Sequence, residues 1–374
     1  SVVQISGAVE DRIDTVAGRW ANTAAVTSVT LVIDDGGYTA GSTFELCVVD
    51  ESFNIDQDGD GEQILGSAGT FSVGSIGAAD GDIVQIGNLR GSAASVLEPV
   101  KVEYNGDTGS NYYRQRLYGS NTTVAASEDT SAANIRALGD SATASAFGAI
   151  LVQTTNYSDG SNDRTYNALS GGHGDSSNSE VRLTTTRWNN TAAITSILIS
   201  GNGAANFVTG SMLSTYAVPK NLIERVELTS DTRDVTFSSI PDTYDHLEVT
   251  MYAKRDRNST SDSTFMYFNG DTTDANYDFQ KLLGGGGTNV SAQTHASSAY
   301  IGNNAGSSDA ANIFGTITVT IYNYTKTDRH KHILSVSGED AFDYVGIHSL
   351  RWENTAAVTK LLINGGNGDL VYGS

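Results

Sequence analysis

Apolar residues recur at every second position through much of this chain. In FGTITVTIYNY (314–324), Ile317, Val319 and Ile321 alternate with threonine. In YDHLEVTMYAK (244–254), Leu247, Val249 and Met251 alternate with polar partners until Tyr252. A period of two is that of a strand with one buried face. No long stretch carries a clean helical stripe. Asn-Gly pairs at 105–106 and 269–270 mark tight turns. About eight strands per repeat with one-sided alternation predict an all-β fold of tandem antiparallel β-sandwich, jelly-roll-like domains.

One phrase occurs three times: RWANTAAVTSVTLVI (19–33), RWNNTAAITSILIS (187–200) and RWENTAAVTKLLI (351–363). Nine and eleven positions beyond each tryptophan stand Val29 and Leu31, Ile197 and Ile199, Leu361 and Ile363. These pairs share one face of a strand, while Ser28, Ser196 and Lys360 begin the other. Trp20, Trp188 and Trp352 read as core residues closing a corner, not as exposed platforms for sugar. Asn22, Asn190 and Asn354 are expected to cap a short turn whose first helical or 3-10 residues are Ala-Ala. The residue after each tryptophan (Ala21, Asn189, Glu353) is expected to face outward.

The likeness reaches beyond the phrase. AFGAILVQTTNY (146–157) matches IFGTITVTIYNY (313–324), and VEYNGDTGSNYYRQRLYG (102–119) matches MYFNGDTTDANYDFQKLLG (266–284) with one insertion. A period this long indicates a duplicated domain, not a solenoid unit. Four segments follow: the C-terminal part of a first repeat at 1–50, an acidic linker at 51–65, a second repeat at 66–219 and a third at 220–374. The third lacks the last strand that the second continues into (GSMLSTYAV, 210–218). The expectation is an internal slice of a longer array, or end strands supplied by neighbouring chains through strand exchange.

Composition narrows the function. The chain has 374 residues, a net charge of −21, 40 glycines and 3 prolines. An acidic surface disfavours nucleic acid. No apolar run is long enough to span a membrane as a helix. The single cysteine, Cys47, excludes disulfides within the chain.

Candidate chemistry is sparse. DQDGDGEQILGS (56–67) opens like a calcium loop, with Asp56, Asp58 and Asp60 at the first, third and fifth ligand positions and Gly61 at the turn. Ser67 stands where a bidentate Glu belongs, so the alternative is a solvated acidic linker. His330 and His332 share one side of a strand without a third ligand at metal spacing. GGGGT (284–288) lacks the Lys-Ser/Thr of a phosphate loop and reads as a flexible loop. No catalytic residues are identified. Asp107 and Asp271 recur, but inside an Asn-Gly-Asp-Thr turn where Asp is a turn former.

The series F-x-x-I-P-x-T-Y-x-H-L, then Y-x-F-N-G-D-T-x-x-N-Y, then F-G-x-I-x-V, then R-W-x-N-T-A-A-[VI]-T resembles a domain common in structural and fibre-like proteins of tailed bacteriophages, especially aquatic ones. The third repeat matches nearly throughout, at Phe237, Ile240, Pro241, Tyr244, His246 and Leu247. The second keeps the later motifs and loses Ile-Pro-x-Thr-Tyr-x-His. The resemblance implies a virion location and a non-enzymatic role in capsid decoration, a capsid fibre or a tail fibre. It also implies homo-oligomers, most simply trimers, and contacts with other virion proteins. The alternatives are a receptor- or carbohydrate-binding module, with Tyr112 or Tyr113 stacking on host glycans, and a secreted adhesin array. Its ligand-binding residues are unknown.

Overall fold

The structure is a computed structural model and describes residues 2–6, 11–15, 30, 62–77, 81–121, 123–158, 160, 163–175, 178–203, 205–219, 222–244, 246–285, 289–308, 314–339 and 344–371. Trp20, Asn22, Asp56, Asp58 and Asp60 lie outside the described residues.

A first hairpin pairs β1 (Val2–Ser6) with β2 (Asp11–Thr15). Twelve strands follow: β3 (Glu62–Ile64), β4 (Phe71–Val73), β5 (Gly81–Leu89), β6 (Leu97–Tyr104), β7 (Tyr112–Ser120) and β8 (Thr123–Thr130), then β9 (Ala133–Leu138), β10 (Gly148–Thr154), β11 (Arg164–Asp175), β12 (Asn178–Trp188), β13 (Ile197–Gly201) and β14 (Met212–Pro219). Ten more complete the chain: β15 (Asp234–Ser238), β16 (His246–Ala253), β17 (Ser261–Phe268), β18 (Tyr277–Gly285) and β19 (Asn289–Ser297), then β20 (Tyr300–Ala305), β21 (Gly315–Tyr322), β22 (Lys331–Glu339), β23 (Tyr344–Trp352) and β24 (Lys360–Asn364).

These strands form two sandwiches with the same plan. In the first sandwich a large sheet runs β3-β14-β5-β10-β11-β12-β7-β8 and a small one β4-β13-β6-β9. In the other, the large sheet runs β16-β21-β22-β23-β18-β19 and the small one β15-β24-β17-β20. Ten strands therefore correspond one to one, and β3 and β14 extend only the earlier copy. Each sandwich has ten shared strands where the sequence suggested about eight. The excess is the hairpin β11–β12 (β22–β23 in the other copy). Without it, the order is that of an eight-stranded jelly roll. Counting back from the tryptophan phrase, β1 and β2 match β22 and β23, and they too pair antiparallel, in a register shifted by three residues.

Alternation puts each core between its sheets. One core gathers Phe71, Val102, Tyr104, Ile150, Val152, Tyr166, Trp188 and Ile199. The other gathers Met266, Phe268, Tyr277, Val319, Ile321, Ile333, Trp352 and Ile363. The one-sided reading fails at β12 and β23, which are buried on both faces. The cause is contact between the sandwiches. Leu117 and Leu183 on the outer face of one large sheet pack with Val345 and Ile347 of the other, edged by Leu282, Leu334 and Val336. This contact sits on a row of residues in register across six strands: Ile86, Leu151, Leu169, Leu183, Leu117 and Ala126. At its far end Ile86 and Leu151 remain 39% and 41% exposed. The matching positions in the other sandwich are Thr250 and Thr318.

Glycines allow the close approach. A Cβ on Gly338 would stand 2.2 Å from Thr185 Cγ2, and one on Gly284 would stand 2.9 Å from Ala126 Cβ. Gly284 is thus part of β18 and of the contact, not of a loop as its glycine-rich surroundings suggested; residues 286–288 lie outside the described set. Gly338→Val should push the sheets apart at a cost of about 1–3 kcal/mol. Calorimetry should then show two unfolding transitions where the parent chain shows a coupled one; an unchanged profile would contradict this interface.

Candidate functional site

The repeated phrase closes each sandwich through a polar lock. Trp188 and Trp352 are buried, at 0% and 1% exposure, each stacked on a tyrosine (Tyr112, Tyr277). Trp188 Nε1 donates to Asp107 Oδ2 at 2.7 Å, and Trp352 Nε1 to Asp271 Oδ2 at 2.9 Å. The tryptophans are therefore core residues. The aspartates do more than form turns, because they take the one polar atom that burial would otherwise strand. Partial burial pushes the Asp107 carboxyl upward, but bonds from Trp188, Asn111 and the Gly109 N–H outweigh this and hold it below its ordinary value. Asp271 is lowered likewise, against burial, by Trp352, Asn276 and Thr273.

The asparagine two positions earlier completes the lock. Asn105 and Gly106 take positive φ (52° and 70°), as do Asn269 and Gly270 (52° and 80°). Asn and Gly bear this conformation at least cost. The turn does not make a hairpin; it carries the chain from the small sheet (β6, β17) to the large one (β7, β18). Asn105 Oδ1 accepts from the N–H groups of Thr195 and Ser196 (2.8 and 3.1 Å) and from Thr195 Oγ1, while its Nδ2 donates to the Ala193 carbonyl at 2.8 Å. Asn269 repeats every bond with Thr359, Lys360 and Ala357. A buried cation at the start of the hairpin holds the next carbonyl: Arg164 Nη2 reaches Thr191 O and Lys331 Nζ reaches Thr355 O, each at 3.0 Å.

Asn190 and Asn354 do cap, accepting from the N–H of Ala192 and Ala356 at 2.9 Å. No helical turn follows, because the N–H groups of Ile194 and Val358 go to the Tyr157 and Tyr324 carbonyls and Asn105 and Asn269 claim the two beyond. The 3-10 turn among the described residues is Asp274–Asn276, elsewhere. Ile194 and Val358 enter the core, while Asn189 and Glu353 face outward. Tyr112 cannot stack on sugar. It is fully buried, donates to the Asp107 carbonyl and accepts from the Tyr104 N–H. The Tyr113 ring is covered by the Arg187 guanidinium at 4.6 Å.

Beside this shared frame, the sandwiches differ at the end bounded by β7, β8, β9 and β12, where sequence reading identified no site. Since Leu117 and Leu183 face outward, Arg114, Arg116, Tyr118 and Arg182 face inward by alternation. Arg182 Nη2 lies 2.6 Å from Glu180 Oε1, and Arg136 Nε lies 3.5 Å from the same oxygen. Arg114 pairs with Asp129, and Arg116 Nη2 stands 3.8 Å from it. The Arg182 guanidinium lies 5.0 Å from the Tyr118 ring centre. Burial lowers Arg182 to about 10, opposed by Glu180 and reinforced by Arg136, Arg116 and Arg114. The signal for this cluster was four arginines at one end of one repeat in a chain otherwise strongly acidic.

The corresponding positions of the other sandwich carry Phe279, Lys281, Leu283, Tyr344 and Gly346. Here Lys281 Nζ lies 4.9 Å from the Tyr300 ring centre, and Tyr300 and Tyr344 hydroxyls meet at 2.9 Å. Fully buried His348 sits beside them, its Nε2 2.8 Å from Ser337 Oγ and its Nδ1 without a hydrogen bond. Burial, then Lys281, lowers His348 to about 3; His332 is lowered to about 4, chiefly by burial. Among the described residues no group of three or more His, Cys, Asp and Glu is placed to hold a metal ion. The sequence matches no protein-family model and no curated protein.

Two expectations follow. Asn269→Ala removes three accepted bonds and places Ala at positive φ, so the third repeat should lose about 3 kcal/mol in denaturant unfolding. A loss under half of that would mean that Asn269 does not secure the corner. Separately, a histidine held neutral in the fold but protonated when unfolded contributes stability that is full above the unfolded value and falls with pH below it. Between about pH 6.5 and 3, His348 alone should cost about 1.4 kcal/mol per pH unit of acidification. His348→Gln should flatten that limb; an equally steep limb in the variant would rule out His348 as its source.

Proposed function

We propose that this chain is a non-enzymatic structural protein of a bacteriophage virion surface, a capsid decoration, capsid fibre or tail fibre built from tandem sandwiches. The observation that carries the reading is that one sandwich, with one bonded corner, is built twice and joined sheet to sheet. Such a chain resists unfolding and presents repeated surfaces, which suits mechanical and associative work.

The packing supports a trimer-like association. The strand β7 lies on β23, and its counterpart β18 lies on β2. Likewise β12 lies on β23, and β23 on β2. The step from second to third repeat is thus taken again from third to first, a head-to-tail contact that makes a ring of like units where its rotation closes. The Ile86–Leu151 end of the apolar row stays exposed. It suits a further sandwich of this kind. Contacts with other virion proteins and host surface glycans belong to the same proposal.

Electron microscopy of purified particles with gold-labelled antibody to this chain tests the assignment. Regular labelling of capsid faces or fibres is expected; a chain found in infected lysate but on no particle would overturn it.

A further inference from the structure

The geometry points to the arginine cluster between β7, β8, β9 and β12 as a binding site for a single oxyanion group, a carboxylate or sulfate carried by a small ligand or an acidic sugar. Four guanidinium groups (Arg114, Arg116, Arg136, Arg182) face two carboxylates (Asp129, Glu180). Two positive charges are therefore left over inside a chain whose net charge is −21. Excess charge of one sign held out of water is costly and is offset by a counter-charge in the same place.

The cluster is graded from floor to rim. The side chains of Arg182 and Glu180 are 3% and 5% exposed, those of Arg116 and Arg136 19% and 24%. Arg182 Nε is buried and makes no hydrogen bond. Packing already fixes the floor donors, and a ligand can enter past Arg116 and Arg136. Guanidinium forks match the two oxygens of a carboxylate or sulfate. The Tyr118 ring, lying under Arg182 and Arg116, adds a flat surface beside them.

The acidic surroundings select the size of the ligand. A long polyanion would meet the repulsion of the whole surface, whereas one anionic group meets only the local excess of positive charge. The third repeat does not carry this site, since its equivalent positions hold Phe279, Lys281 and Gly346. It is independent of the virion assignment: particle labelling tests the one and ligand titration the other.

Thermal unfolding of the full chain should be followed while sulfate, glucuronate or phosphate is titrated, with sodium chloride at matched ionic strength as the reference. A saturating site raises the midpoint steadily with the logarithm of ligand concentration. Sulfate or glucuronate should do so and chloride should not. A response to sulfate alone would assign a tetrahedral group and one to glucuronate alone a carboxylate. Arg116→Gln and Arg136→Gln, both at the rim, should fold normally and each weaken the response at least ~10-fold. A shift no larger than chloride gives, a response to phosphate alone, a response undiminished in both variants, or binding of heparin without the small anions would each overturn the proposal.

Discussion

An indole N–H and a carboxylate, 81 residues apart in each repeat, hold the two sheets of every described sandwich together at one corner. The tryptophan ends the hairpin inserted into the large sheet. The aspartate follows the turn that leaves the small sheet. Burying the indole stabilises the core only if its nitrogen finds an acceptor, and the acceptor is present only if the turn adopts its left-handed residues. Core packing and backbone conformation are thus coupled, because each supplies what the other would otherwise lack. The tyrosines, the capping asparagines and the buried Arg164 or Lys331 all attach to this pair.

Much of the fold was legible because its signals are local. Alternation in 317–321 gives the strand, Asn-Gly gives the turn, and the spacing of Ile197 and Ile199 from Trp188 gives the core face. What was missed depends on distance along the chain. Asp107 reads as a turn former, since nothing local says that a tryptophan 81 residues later will point at it. The capping asparagine was identified, but the helical turn expected after it does not form, because the N–H of Ile194 goes to the Tyr157 carbonyl and those of Thr195 and Ser196 to Asn105. Val345 and Ile347 on the outer face of β23 likewise reveal a second burial only once another sandwich lies over them. The calcium reading of Asp56, Asp58 and Asp60 and the first tryptophan phrase fall outside the described residues.

The contact between sandwiches works by subtraction as much as by burial. Gly338 and Gly284 remove side chains where Thr185 and Ala126 approach, so the leucines beside them reach across. A sheet that is glycine-poor at these positions could bury the same leucines only at a greater separation, with weaker dispersion. Two surfaces that are apolar and also close-fitting resist sliding, and register is what a repeated array has to keep from one unit to the next.

The same economy explains where the repeats diverge. The aspartates of the lock are hard to change, since replacing Asp107 or Asp271 leaves a buried indole N–H without its acceptor. The end bounded by β7, β8, β9 and β12 lies outside that network. There the second repeat carries Arg114, Arg116 and Arg182, and the third carries Phe279, Lys281 and Gly346 at the same strand positions. At this end the second repeat pairs buried arginines with carboxylates, whereas the third sets a lysine against aromatic rings beside a phenylalanine and a glycine. A fold that needed this end for stability would converge on one solution twice, as it does at the tryptophan corner. Two different solutions on one frame mean that stability is settled elsewhere, which leaves these side chains open to be specified by what they bind.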